Sequence, residues 1–141
     1  MKRLGAAHWV APFAIGVVGP AAAQEASGLA RGAAIYAEAC AACHGAALEG
    51  QPDWRRRTEA GRLPAPPHDE TGHTWHHSDR ILLDIVTRGT SAVVGGGYES
   101  DMPGFGDLYT EEELRDVLDW IKAQWPEEVR EYQAEISKED R

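Results

Sequence analysis

The sequence predicts an all-α protein built of a few helices separated by long loops. Three observations carry this. Apolar residues recur at helical spacing in separate stretches, no stretch alternates in the manner of a strand, and glycine and proline crowd the text between the periodic stretches. A chain of 141 residues suffices for one small domain, and neither a repeat nor an interdomain linker divides it.

Residues 1–23 have the anatomy of a secretory signal. Met1-Lys2-Arg3 is a basic start, Leu4 to Val18 is largely apolar, and Gly19-Pro20-Ala21-Ala22-Ala23 ends in small residues, with the cut expected after Ala23. The competing reading is a retained anchor. The apolar stretch is short for a membrane span, and His8, Pro12 and Pro20 interrupt it. Residues 24–141 then form a single exported domain, with the bacterial periplasm as its expected address. Membrane contact is expected only through partners or an uncleaved signal.

The first helix is expected over Ser27–Ala39, where Leu29, Ile35, Tyr36 and Ala39 supply an apolar face. From Gly45 to His77 the glycines, the prolines and the basic run Arg55-Arg56-Arg57 forbid long regular elements. A loop of that length in a compact domain implies that it wraps something. Ser78 is a good N-cap for "DRILLDIVTR", in which Ile81, Leu82, Ile85 and Val86 share a face before Gly89 ends the helix. A second loop is expected from Thr90 to Phe105, with a Gly95-Gly96-Gly97 hinge. Thr110 and Glu113 make a capping box for the clearest helix, whose buried stripe is Leu114, Val117, Leu118, Ile121 and Trp125. Pro126 interrupts the run, and residues 127–141 read as a charged extension, a short helix that frays.

The net charge of −9 becomes about −11 once Lys2 and Arg3 are removed with the signal. Nucleic acid is excluded as a partner, because binding it needs a basic face. An acidic surface suits solvation, or steering toward a positively charged docking surface.

Both cysteines of the chain stand in Cys40-Ala41-Ala42-Cys43-His44. A disulfide there is permitted by export but closes a tiny loop and constrains little of the unfolded chain. A redox dithiol belongs beside a βαβ pattern, which this chain lacks, and a zinc site needs a second ligand pair. C-x-x-C-H is also the attachment signature of haem c, with Cys40 and Cys43 spaced for the two vinyl groups and His44 brought under the iron. For the sixth position, Met102 is the sole methionine after Met1. A lone methionine is usually core filler. Flanked by Asp101 and Pro103 in loop text, this one makes a poor filler and a reasonable thioether ligand.

These residues give the chain a resemblance to class I c-type cytochromes that covers almost all of residues 24–141. The resemblance implies the cytochrome c fold, a few helices and long loops wrapped around one covalently attached haem. It also implies that Gly32 and Tyr36 pack across Val117, Trp120 and Ile121 of the last long helix. His44 matches the family's proximal histidine and Met102 its axial methionine. A proline-loop carbonyl between Leu63 and Pro67 is expected to receive the other imidazole N–H.

The resemblance leaves His68, His73, His76 and His77 unexplained. Three readings stand: hydrogen bonding to the haem propionates, together with Trp75; a separate copper or zinc site; or one histidine as sixth ligand in place of Met102. The function implied is electron transfer, with no catalytic residues, between redox partners such as a dehydrogenase and a terminal oxidase. The rivals are a haem enzyme or sensor with a displaceable sixth ligand, and a copper-handling protein using the histidine cluster.

Overall fold

The computed structural model describes residues 19–140. Most of the expected signal, residues 1–18, lies outside the described residues. The first helix, α1, runs Pro20–Ile35. It begins well before Ser27, because Ala21–Ala23 are strong helix formers and a proline in the first turn lacks only an N–H that would be unpaired there. At its far end the path widens into a π-helical turn, Tyr36–Cys40, closed by the Ala41 N–H on the Tyr36 carbonyl. A short helix, α2 (Ala41–His44), follows at once.

Helix α5 (Glu111–Ala123) carries the expected capping box at Thr110 and Glu113, and it buries Leu114, Val117, Leu118 and Ile121. It crosses α1 where Gly32 faces the Asp116 backbone; a Cβ on Gly32 would overlap the Asp116 carbonyl. Beside that notch the Tyr36 and Trp120 rings meet at 4.8 Å. Arg31 closes the rim by pairing with Glu112 and Asp116. The core is Ile35, Tyr36, Leu48, Val117, Ile121 and Trp125, so the crossing implied by the resemblance forms at the expected residues.

Helix α3 (Asp79–Arg88) starts at Ser78, whose hydroxyl accepts from the Ile81 N–H at 3.3 Å. Of its apolar face only Leu82 is fully buried, while Ile81, Ile85 and Val86 are half-buried. The loop expected from Thr90 contains a further short helix, α4 (Thr90–Val94). After it Gly95, Gly96 and Gly97 all adopt positive φ. Among the described residues there is no strand; Gly89 and Pro103 form an isolated antiparallel bridge.

The extension expected to fray is instead α6 (Glu127–Glu139), with Pro126 as its N-cap. Its buried Gln133 donates to the His77 carbonyl at 3.1 Å and to the Asp79 carboxylate at 2.9 Å. At its end Asp140 accepts from the Ser78 hydroxyl and pairs with Arg80. Charge along the sequence suggested a fraying extension; Gln133 and Asp140 dock it, with Val129 packed against the core and Tyr132 edge-on to Trp75. The segment between α2 and α3 is irregular apart from a 3₁₀ turn, Thr74–His76. Among the described residues no helix is long and apolar enough to cross a membrane.

Candidate functional site: the Cys-His segment and the Met102 loop

Cys40 ends the π-helical turn and Cys43 and His44 sit in α2, so one short segment presents both thiols and the imidazole. The thiols are unbridged, Cys40 half-buried and Cys43 exposed. Burial, and next the neighbouring Cys43, push the Cys40 pKa up to about 11. A disulfide oxidoreductase needs the opposite shift. Among the described residues no three His, Cys, Asp or Glu side chains gather to hold a metal ion, so neither the zinc reading of the cysteines nor a three-ligand copper site at the histidines is assembled.

His44 is buried, and its Nδ1 lies 2.8 Å from the Pro66 carbonyl. A carbonyl only accepts, so Nδ1 carries the proton and Nε2 keeps its lone pair for a metal. Burial lowers the His44 pKa, with the Pro66 carbonyl pulling the other way. The ring is thus neutral and oriented, as a metal-ligating histidine must be. The resemblance narrowed the acceptor to Leu63–Pro67; the fold selects Pro66. The Tyr36 hydroxyl donates to the Gly45 carbonyl at 2.9 Å and ties the residue after His44 back to the core.

The four loop histidines fall into three environments. His68 stacks on His44, with centroids 3.8 Å apart and planes 18° from parallel. His73 stacks on Trp54 at 5.4 Å and meets His77 edge-on. His76 stacks on Trp75 at 3.7 Å, with Tyr132 of α6 edge-on to both. A ring lying flat on His44 would stand beside a His44-bound metal and not opposite it, which disfavours His68 as the sixth ligand. Arg55 covers the Trp54 ring at 4.3 Å and Arg57 bonds the Gly61 carbonyl, so two members of the basic run serve their own loop.

Met102 is half-buried, and its loop is stitched to the end of α3. The Phe105 N–H donates to the Val86 carbonyl at 2.9 Å and the Gly106 N–H to the Thr87 carbonyl at 3.0 Å. Between them Gly89, at φ +84°, bridges Pro103 so closely that a Cβ there would press on the Gly104 nitrogen. The Met102 N–H donates to Ser100 Oγ at 3.2 Å, and its Sδ accepts from the Thr90 hydroxyl at 3.3 Å. Arg62 pairs with Asp101 and joins this loop to the long middle one. Thr90 escaped the sequence reading because nothing in its spacing marks it as a partner of Met102.

The residues present fit a covalently held haem. Two unbridged thiols and an imidazole with a spare Nε2 stand on one segment, a thioether is held by a stiff loop, and α3 keeps apolar side chains only half-covered. No curated protein and no solved structure matches the chain. The model of the family described as Cytochrome c matches residues 29–125, from α1 through Trp125 and well over half of the chain. The site geometry and this match agree: the chain belongs to the cytochrome c family, with haem c attached covalently at its Cys-x-x-Cys-His segment.

Proposed function

We propose that the protein is an exported, periplasmic monohaem cytochrome that carries single electrons between redox partners, with His44 and Met102 as the axial ligands and Cys40 and Cys43 as the attachment points. The bound haem supplies an iron that takes up and releases one electron. The observation that carries the reading is the 2.8 Å contact of His44 Nδ1 with the Pro66 carbonyl, which dedicates Nε2 to a metal. The Met102 loop supports a filled sixth position, since the bridge to Gly89 and the Thr90 contact restrain the sulfur. A thioether opposite an imidazole favours ferrous iron and a raised potential.

A haem catalyst or gas sensor needs a readily displaced sixth donor, and a catalyst also needs a poised acid or base. The restraints on Met102 disfavour the first requirement, and the placement of His73, His76 and His77 in aromatic stacks disfavours the second. The acidic surface suits a donor and an acceptor with positive docking faces, such as a dehydrogenase and a terminal oxidase, in small and short-lived contacts. The test is carbon monoxide binding to the reduced protein at neutral pH. A closed electron carrier binds it slowly or not at all; rapid, stoichiometric binding would sink the proposal.

A further inference from the structure

His68 is used by neither haem attachment nor axial ligation, yet it touches the proximal histidine. Its backbone is fixed from both sides: the N–H donates to the Leu48 carbonyl at 2.8 Å, and the carbonyl accepts the Trp125 indole N–H at 2.7 Å. The ring is fixed as well, one face on His44 at 3.8 Å and Tyr36 edge-on at 5.9 Å. Its Nδ1 is sealed from solvent and has no hydrogen-bond partner among the described residues. An unsatisfied buried polar atom is destabilising, whereas an apolar side chain would fill the same place without that penalty. The chain therefore holds a destabilising ring where that ring lies flat against the iron's imidazole.

We propose that His68 is a positioning residue for the haem iron, acting through His44: it sets the orientation of the proximal ring and stabilises, by face-on π contact, the positive charge that ferric iron places on that ring. The Pro66 bond alone leaves the His44 ring free to swing about the Nδ1–carbonyl line; the flat contact with His68 removes that freedom. An aromatic face attracts a neighbouring cation, and a paired ring contributes beyond its buried area. The inference rests on His44 being the proximal ligand.

The experiment compares the holoprotein with His68→Leu and His68→Phe. His68→Leu fills the space without a π face. It should shift the equilibrium with a fixed mediator toward the ferrous form about two- to tenfold, the range that one ring pair supplies, and alter the anisotropy of the ferric electron paramagnetic resonance signal. His68→Phe restores the face and should return both readouts close to the parent values. An unchanged potential and signal in His68→Leu, or equal shifts in both variants, would overturn the proposal. Should His68→Leu fail to retain haem, proton resonance of the ferric parent decides. His68 ring protons with hyperfine shifts and a cross-relaxation peak to His44 support the stack, and their absence beside a shifted His44 refutes it. A His44 ring without hyperfine shift would instead remove the ligand assignment itself.

Discussion

At the scale of single residues, the haem-attachment segment is found in the sequence at once, whereas the groups packed around it are only partly so. Cys40, Cys43 and His44 announce themselves because three reactive side chains at fixed spacing are improbable in filler. Met102 stands out by scarcity and by its loop context. Their partners were less legible: the resemblance narrowed the His44 acceptor only to Leu63–Pro67, His68 was singled out without one settled role, and Thr90 was missed, because each reaches its partner across irregular chain, where no period predicts which carbonyl, ring or hydroxyl will arrive. Pro66 meets His44 across the long middle loop, and Thr90 meets Met102 across α4 and the glycine hinge. Met102→Ala tests the sulfur directly. It should leave haem covalently attached, lower the reduction potential and open the iron to added ligands, as read by potentiometry and by absorbance on adding imidazole. An unchanged potential would dismiss Met102 as the sixth donor.

At the scale of elements, α3 and α5 were legible because each has a polar N-cap, a 3.6-residue apolar stripe and an unambiguous end. Helix α4 was hidden, since five residues hold too little periodicity to read. Helix α6 was misjudged because the only fully buried residue on its face is a glutamine, while Val129 and Ile136 beside it are only half-buried. The α1–α5 crossing was anticipated through the resemblance, and its physical basis is the absent side chain at Gly32. Gly32→Val should therefore force the helices apart and cost about 1–3 kcal/mol or more, the usual price of overpacking. The denaturant midpoint of the holoprotein measures it, and a midpoint equal to the parent's would mean that the two backbones do not meet there.

At the scale of the whole molecule, two acidic anchors couple α6 to the start of α3 and make stability depend on pH. Burial works against the Asp79 charge, but the Gln133 hydrogen bond and then Lys122 outweigh it and bring the pKa below 3.8. Hydrogen bonds from Arg80 and then Ser78 hold Asp140 below the same ordinary value. Both groups are thus more acidic folded than unfolded. Their contribution is fully present above pH 3.8 and is lost as pH falls from there through the lower folded values. Denaturation followed by circular dichroism should show stability falling across that acid window, with a shallower fall in Asp79→Asn. An identical slope in the variant would show that Asp79 is not among the groups that lose their folded-state advantage. The long middle segment, expected to enclose something, holds itself by scattered bonds such as Gln51 N–H to the Ala65 carbonyl and Thr58 N–H to the Arg62 carbonyl, and it is tied to the rest of the molecule by contacts such as Pro66 with His44 and His68 with Leu48 and Trp125.

The widened turn at Tyr36–Cys40 has a consequence for anyone drawing helical wheels. Closing Ala41 on Tyr36 takes one residue more than an α-turn does, so the chain from Tyr36 to Ala41 contains a surplus residue along an otherwise continuous rod. A wheel begun at Gly32 and advanced by about 100° per residue thus misplaces Cys40, Cys43 and His44 by roughly one such step. The helix keeps two phases, one that meets α5 and one that aims the thiols, and the slip between them is what lets a single rod serve both surfaces.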